Sequence, residues 1–172
     1  MQTAFLRRQA LLYFALHGLY REPQWWGHPT HLAPWREETL VQKAAMVDHD
    51  LVAAAVPAGS VVCAAVCQAA YLFGRHADTS LALRFLREGV LCFIAPTTLV
   101  YEYVSDAAGP LDGIDRLFAD VLRGLLNDLP TGQALVQAKR AHPLLGLEDE
   151  KNVHSLVLYG DPGLKMRLQE VA

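Results

Sequence analysis

Two side chains in this 172-residue chain have the chemistry to act as a pair, His17 and Cys67. A thiolate attacks carbonyl carbon, and an imidazole that titrates near neutrality can move protons to and from it. In that pairing Cys67 is the nucleophile. His17 is the general base and acid, donating its proton to a leaving amine. Gly18 follows the imidazole and lacks a Cβ, so a carbonyl can come close to its backbone. Fifty residues separate the pair, enough for one parallel crossover.

Both residues follow short apolar runs. Ser60–Ala70 opens with a valine-rich stretch, too short for a helix and bounded by Pro57 and Gly59. Such a run predicts a strand buried on both faces, parallel and central, with helices above and below. Residues 10–16 predict a second strand, running into His17-Gly18. In open α/β sheets the carboxyl ends of parallel strands face a crevice. Two such strands side by side would bring His17 and Cys67 to one rim.

The remaining elements supply the frame. Residues 18–35 form a long loop holding Trp25, Trp26 and Trp35, and loops of that length tend to be functional. Its indoles either line a cleft or cap the core. Leu40, Ala44, Val47 and Leu51 recur at helical spacing and predict a helix over 36–55. Asp78-Thr79-Ser80 offers an N-cap for a helix to about Glu88, with Gly89 at its end. A third buried strand spans Val90–Ala95. Helices over 112–127 and 132–141 follow, the latter capped by Thr131. Residues 143–152 read as a polar connection, and 155–159 as a last strand closing on the turn Gly160-Asp161-Pro162-Gly163. Strands alternating with helices give a three-layer α/β/α sandwich around a mostly parallel sheet, in a single domain over 1–172.

Composition narrows the function. At 52% hydrophobic residues the chain has ample core material. A net charge of −3 gives no basic surplus, which counts against nucleic acid as a partner. No apolar run reaches bilayer-spanning length, so no membrane partner is expected. Arg7-Arg8 precede an apolar segment without a small-residue cleavage site, so no signal peptide is read there. Three cysteines, an odd number in or beside apolar strands, suit a reducing and hence cytoplasmic compartment.

In order and spacing these motifs resemble the caspase-like (clan CD) cysteine peptidases, which include caspases, gingipains and the separase-related CHAT domains. In that group a strand ends in His-Gly, and a second strand ends in the nucleophilic cysteine. The run Ser80-Leu81-Ala82 through Phe85-Leu86 to Gly89 resembles the group too, as does the strand ending Ile94-Ala95-Pro96-Thr97. Gly132-Gln133-Ala134-Leu135 with Ala138-Lys139, and Leu158-Tyr159-Gly160-Asp161-Pro162-Gly163-Leu164, look most like the gingipain-type (C25) and CHAT branch. The likeness covers most of residues 10–165. It implies a cysteine-type endopeptidase with peptide or protein substrates. It also implies an oxyanion hole from the backbone N–H groups of Gly18 and Cys67. Three features depart from the pattern. Leu16 stands where glycine or serine often precedes the histidine. Ala69-Ala70 replace the usual glycine after the cysteine. The chain also begins almost at the histidine strand, as if it were the C-terminal part of the fold without its N-terminal strands.

Competing readings are simpler. Cys63 and Cys92, mid-strand, are expected to be small buried hydrophobes. His28 and His31 could replace His17 as base, but their spacing with the cysteines fits no compact zinc set, so no metal or other cofactor is expected. His49 and His142 read as surface groups and His154 as structural. Glu22 or Glu102 could orient the imidazole. Trp25, Trp26, Gln68 and Tyr101 are candidates for a substrate cleft, with Tyr71 beside them, and Asp78 or Asp106 could favour a basic substrate side chain. The alternative function is an inactive interaction domain, or a subunit completed by an N-terminal half or partner chain across an uncovered sheet edge. A small-molecule α/β enzyme is disfavoured because no glycine-rich phosphate loop follows any strand.

Overall fold

The valine run after Gly59 forms the central strand that its composition predicts. In the computed structural model, which describes residues 11–20, 22–27, 44–101 and 112–166, this strand is β5, Val61–Ala65. Every residue of β5 is buried, and its two faces feed two separate cores. Val61, Cys63 and Ala65 point into one; Val62 and Ala64 point into the other. That split is the period-2 alternation of a strand covered on both sides.

A four-stranded sheet in the order β1-β5-β6-β7 runs through the middle, with β1 at Leu11–Ala15, β6 at Cys92–Pro96 and β7 at Leu156–Gly160. β1 and β6 both pair parallel to β5, while β7 pairs antiparallel to β6. The sheet is therefore mostly parallel, with one reversed edge strand. No loop separates β7 from the helix before it. Helix α5, Leu147–Ser155, occupies the segment read as a polar connection.

Helices α3 (Gly113–Leu126) and α4 (Thr131–Ala141) cover one face, with Leu117, Phe118, Val121 and Ala134 in the core. Helices α1 (His49–Ala55) and α2 (Leu81–Arg87) cover the other through Val52, Leu81 and Phe85. Phe85 and Phe93 are fully buried there. Each such side chain contributes roughly 1.5–3 kcal/mol from area removed from water. The architecture is the α/β/α sandwich expected.

Four local expectations need correction. The helix read over 36–55 is confined, among described residues, to α1; Ala44–Val47 is instead strand β4. Asp48 separates the two, accepting a 2.9 Å hydrogen bond from the Leu51 N–H as the N-cap of α1. The tryptophan loop contains strand β3, Trp25–Gly27, which pairs antiparallel with β4 and with β2, His17–Gly18. His17 thus begins a second, three-stranded sheet rather than ending the first. Thr131 does not cap α4: its hydroxyl donates to the Asp161 carbonyl at 2.7 Å, tying the helix start to the turn after β7. Among the described residues no helix is long and apolar enough to cross a membrane.

Candidate active site

The register of β1 on β5 sets the geometry. Ala15 lies opposite Ala65, so His17 and Cys67 each stand two residues beyond a directly paired position. The chains then diverge. His17 enters β2, facing Trp26 across the ladder, while Val66 stays fully buried and Cys67 emerges partly exposed. Contact persists at Gly18. A Cβ built there would lie 2.1 Å from the Cys67 carbonyl oxygen and 2.8 Å from Val66 Cγ1. No side chain fits in that space, so the histidine segment and the cysteine turn touch through bare backbone.

A tight turn follows Cys67. Gln68 adopts φ +59, a left-handed conformation that costs a side-chain-bearing residue energy. The turn is stitched to the segment after β6, with the Gln68 N–H on the Thr98 carbonyl and the Ala70 N–H on the Pro96 carbonyl, both at 2.9 Å. The Cys67 thiol donates to the Val100 carbonyl at 3.8 Å. Gln68 Oε1 is buried and has no hydrogen-bond partner among the described residues.

A small cleft, open to solvent, runs from Gly18 past Cys67 and Gln68 to Arg75 and Ser80. Tyr20 and Tyr71 meet edge to face on its wall, ring centroids 5.5 Å apart. Of the residues expected to line a cleft, Trp25 and Gln68 do so, and Trp26 and Tyr101 are not among the lining residues. Trp25 is also core: 3% exposed, it stacks on Phe85 at 5.6 Å and meets Phe14 edge-on at 5.4 Å. Trp26 donates its indole N–H to Glu22 at 2.8 Å, so that carboxylate serves an indole. The Tyr101 hydroxyl accepts from Lys151 at 3.1 Å. Asp78 is exposed beside Arg87 and His76, each 3.7 Å away, and does not line the cleft. His28, His31, Trp35, Glu102 and Asp106 lie outside the described residues.

The three cysteines differ sharply. Cys63 and Cys92 are fully buried. Burial pushes the Cys63 thiol far up, with the Cys92 sulfur adding to it. Cys92 is pushed up to about 12, first by burial, against a Thr131 hydrogen bond that lowers it. A thiol held protonated is a poor nucleophile. Cys67 alone of the three reaches solvent.

His142 is not the surface group expected. It is 5% exposed, and its Nε2 lies 3.3 Å from Asp149 Oδ1, a carboxylate that also accepts from the Leu145 N–H at 3.1 Å. The pair joins the end of α4 to the start of α5, and its burial explains its pairing. Sequence reasoning missed Asn152 altogether. Fully buried on α5, it accepts from the Tyr101 N–H and donates to the Tyr101 carbonyl, both at 2.9 Å. A lone asparagine in a charged helix carries no motif. Among the described residues no group of three or more His, Cys, Asp or Glu side chains is placed to hold a metal.

Comparison with protein families gives one match: the model of peptidase family C25 aligns with residues 24–167. The matched span includes Cys67 and starts after His17. No curated protein matches the chain.

Proposed function

The chain belongs to peptidase family C25, and we propose that it hydrolyses peptide bonds with Cys67 as nucleophile and His17 as general base and acid. Membership makes this a cysteine peptidase family protein whose substrates are proteins or peptides. The observation that carries the residue assignment is the pairing of Ala15 with Ala65, followed by the contact of Gly18 with the Cys67 carbonyl. Those two features set the backbone next to His17 against the turn that carries the solvent-reaching thiol, and Gly18 and Cys67 both line the cleft.

In this reading His17 takes the Cys67 proton as the sulfur attacks the scissile carbonyl. The tetrahedral oxyanion is received by the backbone N–H groups of Gly18 and Cys67. Collapse forms a thioester and expels the amine, which leaves with the proton from His17. Water, deprotonated by the same imidazole, then releases the acid and restores the thiol. The Tyr20–Tyr71 wall offers apolar contact to a substrate side chain. Cys63 and Cys92 take no part, since both are sealed and held protonated.

Hydrolysis of denatured casein tests the proposal. The wild-type chain is expected to cut it, with activity reduced by at least about 10³-fold in Cys67→Ala and His17→Ala. Cleavage that survives Cys67→Ala overturns the assignment. Absence of cleavage in the wild type favours the interaction-domain alternative.

A further inference from the structure

We infer that Asn152 is a positioning residue for the Cys67 sulfur, acting through the backbone of Val100 and Tyr101. This inference rests on the reading of Cys67 as nucleophile. The chain of contacts is continuous. The Cys67 thiol donates to the Val100 carbonyl, which belongs to the peptide linking Val100 to Tyr101. The N–H of that same peptide, on Tyr101, donates to Asn152 Oδ1 at 2.9 Å. Asn152 Nδ2 in turn donates to the Tyr101 carbonyl at 2.9 Å, and that carbonyl also accepts from the Ile114 N–H at 3.1 Å. One carboxamide therefore fixes the peptide plane whose oxygen holds the sulfur. A planar peptide transmits that restraint, because its N–H and C=O directions are locked together.

The rest of α5 reinforces the plane. Three residues further along the helix, the Ser155 carbonyl accepts from the Thr97 N–H at 2.9 Å and from its hydroxyl at 3.1 Å. Lys151 lies over the Tyr101 ring at 4.9 Å and donates to its hydroxyl. Segment 97–101 is thus held by α5 on one side and by the Gln68 turn on the other. Asn152 is fully buried with both ends of its carboxamide committed to one residue, a costly arrangement for a polar group unless its geometry matters. Its length and fork fit the Tyr101 N–H and C=O together, which neither alanine nor aspartate can do.

Two reagents separate positioning from general stability. A peptidyl acyloxymethyl ketone needs the sulfur aimed at a bound carbonyl group. Iodoacetamide needs only access. In the full chain, Asn152→Ala is expected to lower the maximal inactivation rate by the ketone about tenfold or more, with the half-saturating concentration within about twofold. Alkylation of Cys67 by iodoacetamide is expected to rise, because the released sulfur can turn toward solvent. Asn152→Asp keeps the acceptor and loses the donor, so it should show the same split at smaller size and serves if the alanine variant does not fold. Val52→Ala, which cavitates the opposite layer, should leave both rates unchanged. Rates in the Asn152 variants equal to wild type, or both rates falling together as they would in a loosened fold, overturn the inference. Should the ketone fail to modify wild-type Cys67, the peptidase reading falls; the clamp is then judged by iodoacetamide alone, and equal alkylation in wild type and variants rejects it.

Discussion

Gly18 presses directly on the carbonyl of Cys67, leaving 2.1 Å where a Cβ would stand. The nearest atom is backbone, which cannot swing aside as a side chain can. Gly18→Ala must therefore push the histidine segment away from the cysteine turn. Overpacking of this kind costs about 1–3 kcal/mol. Urea unfolding should show that loss, and ketone modification of Cys67 should fall with it. A variant as stable and as reactive as wild type would show that the two segments have slack between them.

The turn at Gln68 stores strain that a glycine would relieve. A left-handed φ costs a non-glycine residue roughly 1–2 kcal/mol, partly offset by the extra unfolded-state freedom of glycine. Gln68→Gly should raise the midpoint of unfolding modestly. It should also weaken binding of peptidyl ketones, because a side chain that lines the cleft is removed. Unchanged ketone affinity would separate Gln68 from substrate recognition.

The buried thiols give a pH dependence of defined sign. Cys92 is pushed up to about 12 in the folded chain from 9.0, and Cys63 moves in the same direction. Each folded thiol holds its proton where the unfolded one has lost it. Their contribution to stability is complete below pH 9 and disappears as pH rises toward 12. Burial raises Tyr159 as well and adds to the same decline, while burial lowers Lys139 and acts the other way. Unfolding free energy measured across pH 9–12 should fall, and a Cys63→Ala, Cys92→Ala double variant should fall less steeply. Equal slopes would show that these thiols ionise alike in both states.

The His142–Asp149 pair closes the α4–α5 corner. Removing the carboxylate in Asp149→Ala leaves a buried imidazole alone and releases the Leu145 N–H. The expected loss is about 1–3 kcal/mol, read by urea unfolding at pH 7. A loss below about 1 kcal/mol would mean that the corner repacks around the histidine.

Much of the sheet could be read from residue types. Val61–Ala65 and Cys92–Pro96 are apolar runs too short for helices, and both are buried along their whole length. The 113–126 helix announced itself by Ile114, Leu117, Val121 and Leu125 at helical spacing. The misreadings have physical causes. Ala44 and Val47 fit a helical period as well as a strand, and only pairing with Trp25–Gly27 decides between them. Strand direction is not written in composition, so the reversal of Leu156–Gly160 was invisible. Helix α5 starts in Glu148, Asp149 and Glu150, which resemble a solvated loop until Asn152 and Ser155 are seen to bury. The neighbouring placement of the two strands that precede His17 and Cys67 was legible because both are short apolar runs. The carbonyl that holds the sulfur was not, since backbone acceptors carry no sequence signature.

The pairing of His17 with Cys67 is tested most directly by intact-mass measurement after treating the native chain with a peptidyl acyloxymethyl ketone. One adduct, mapped to Cys67, should form in wild type and vanish in His17→Ala, while iodoacetamide still alkylates Cys67 in that variant. An adduct on another residue, or one that forms as fast without the imidazole, would contradict the dyad.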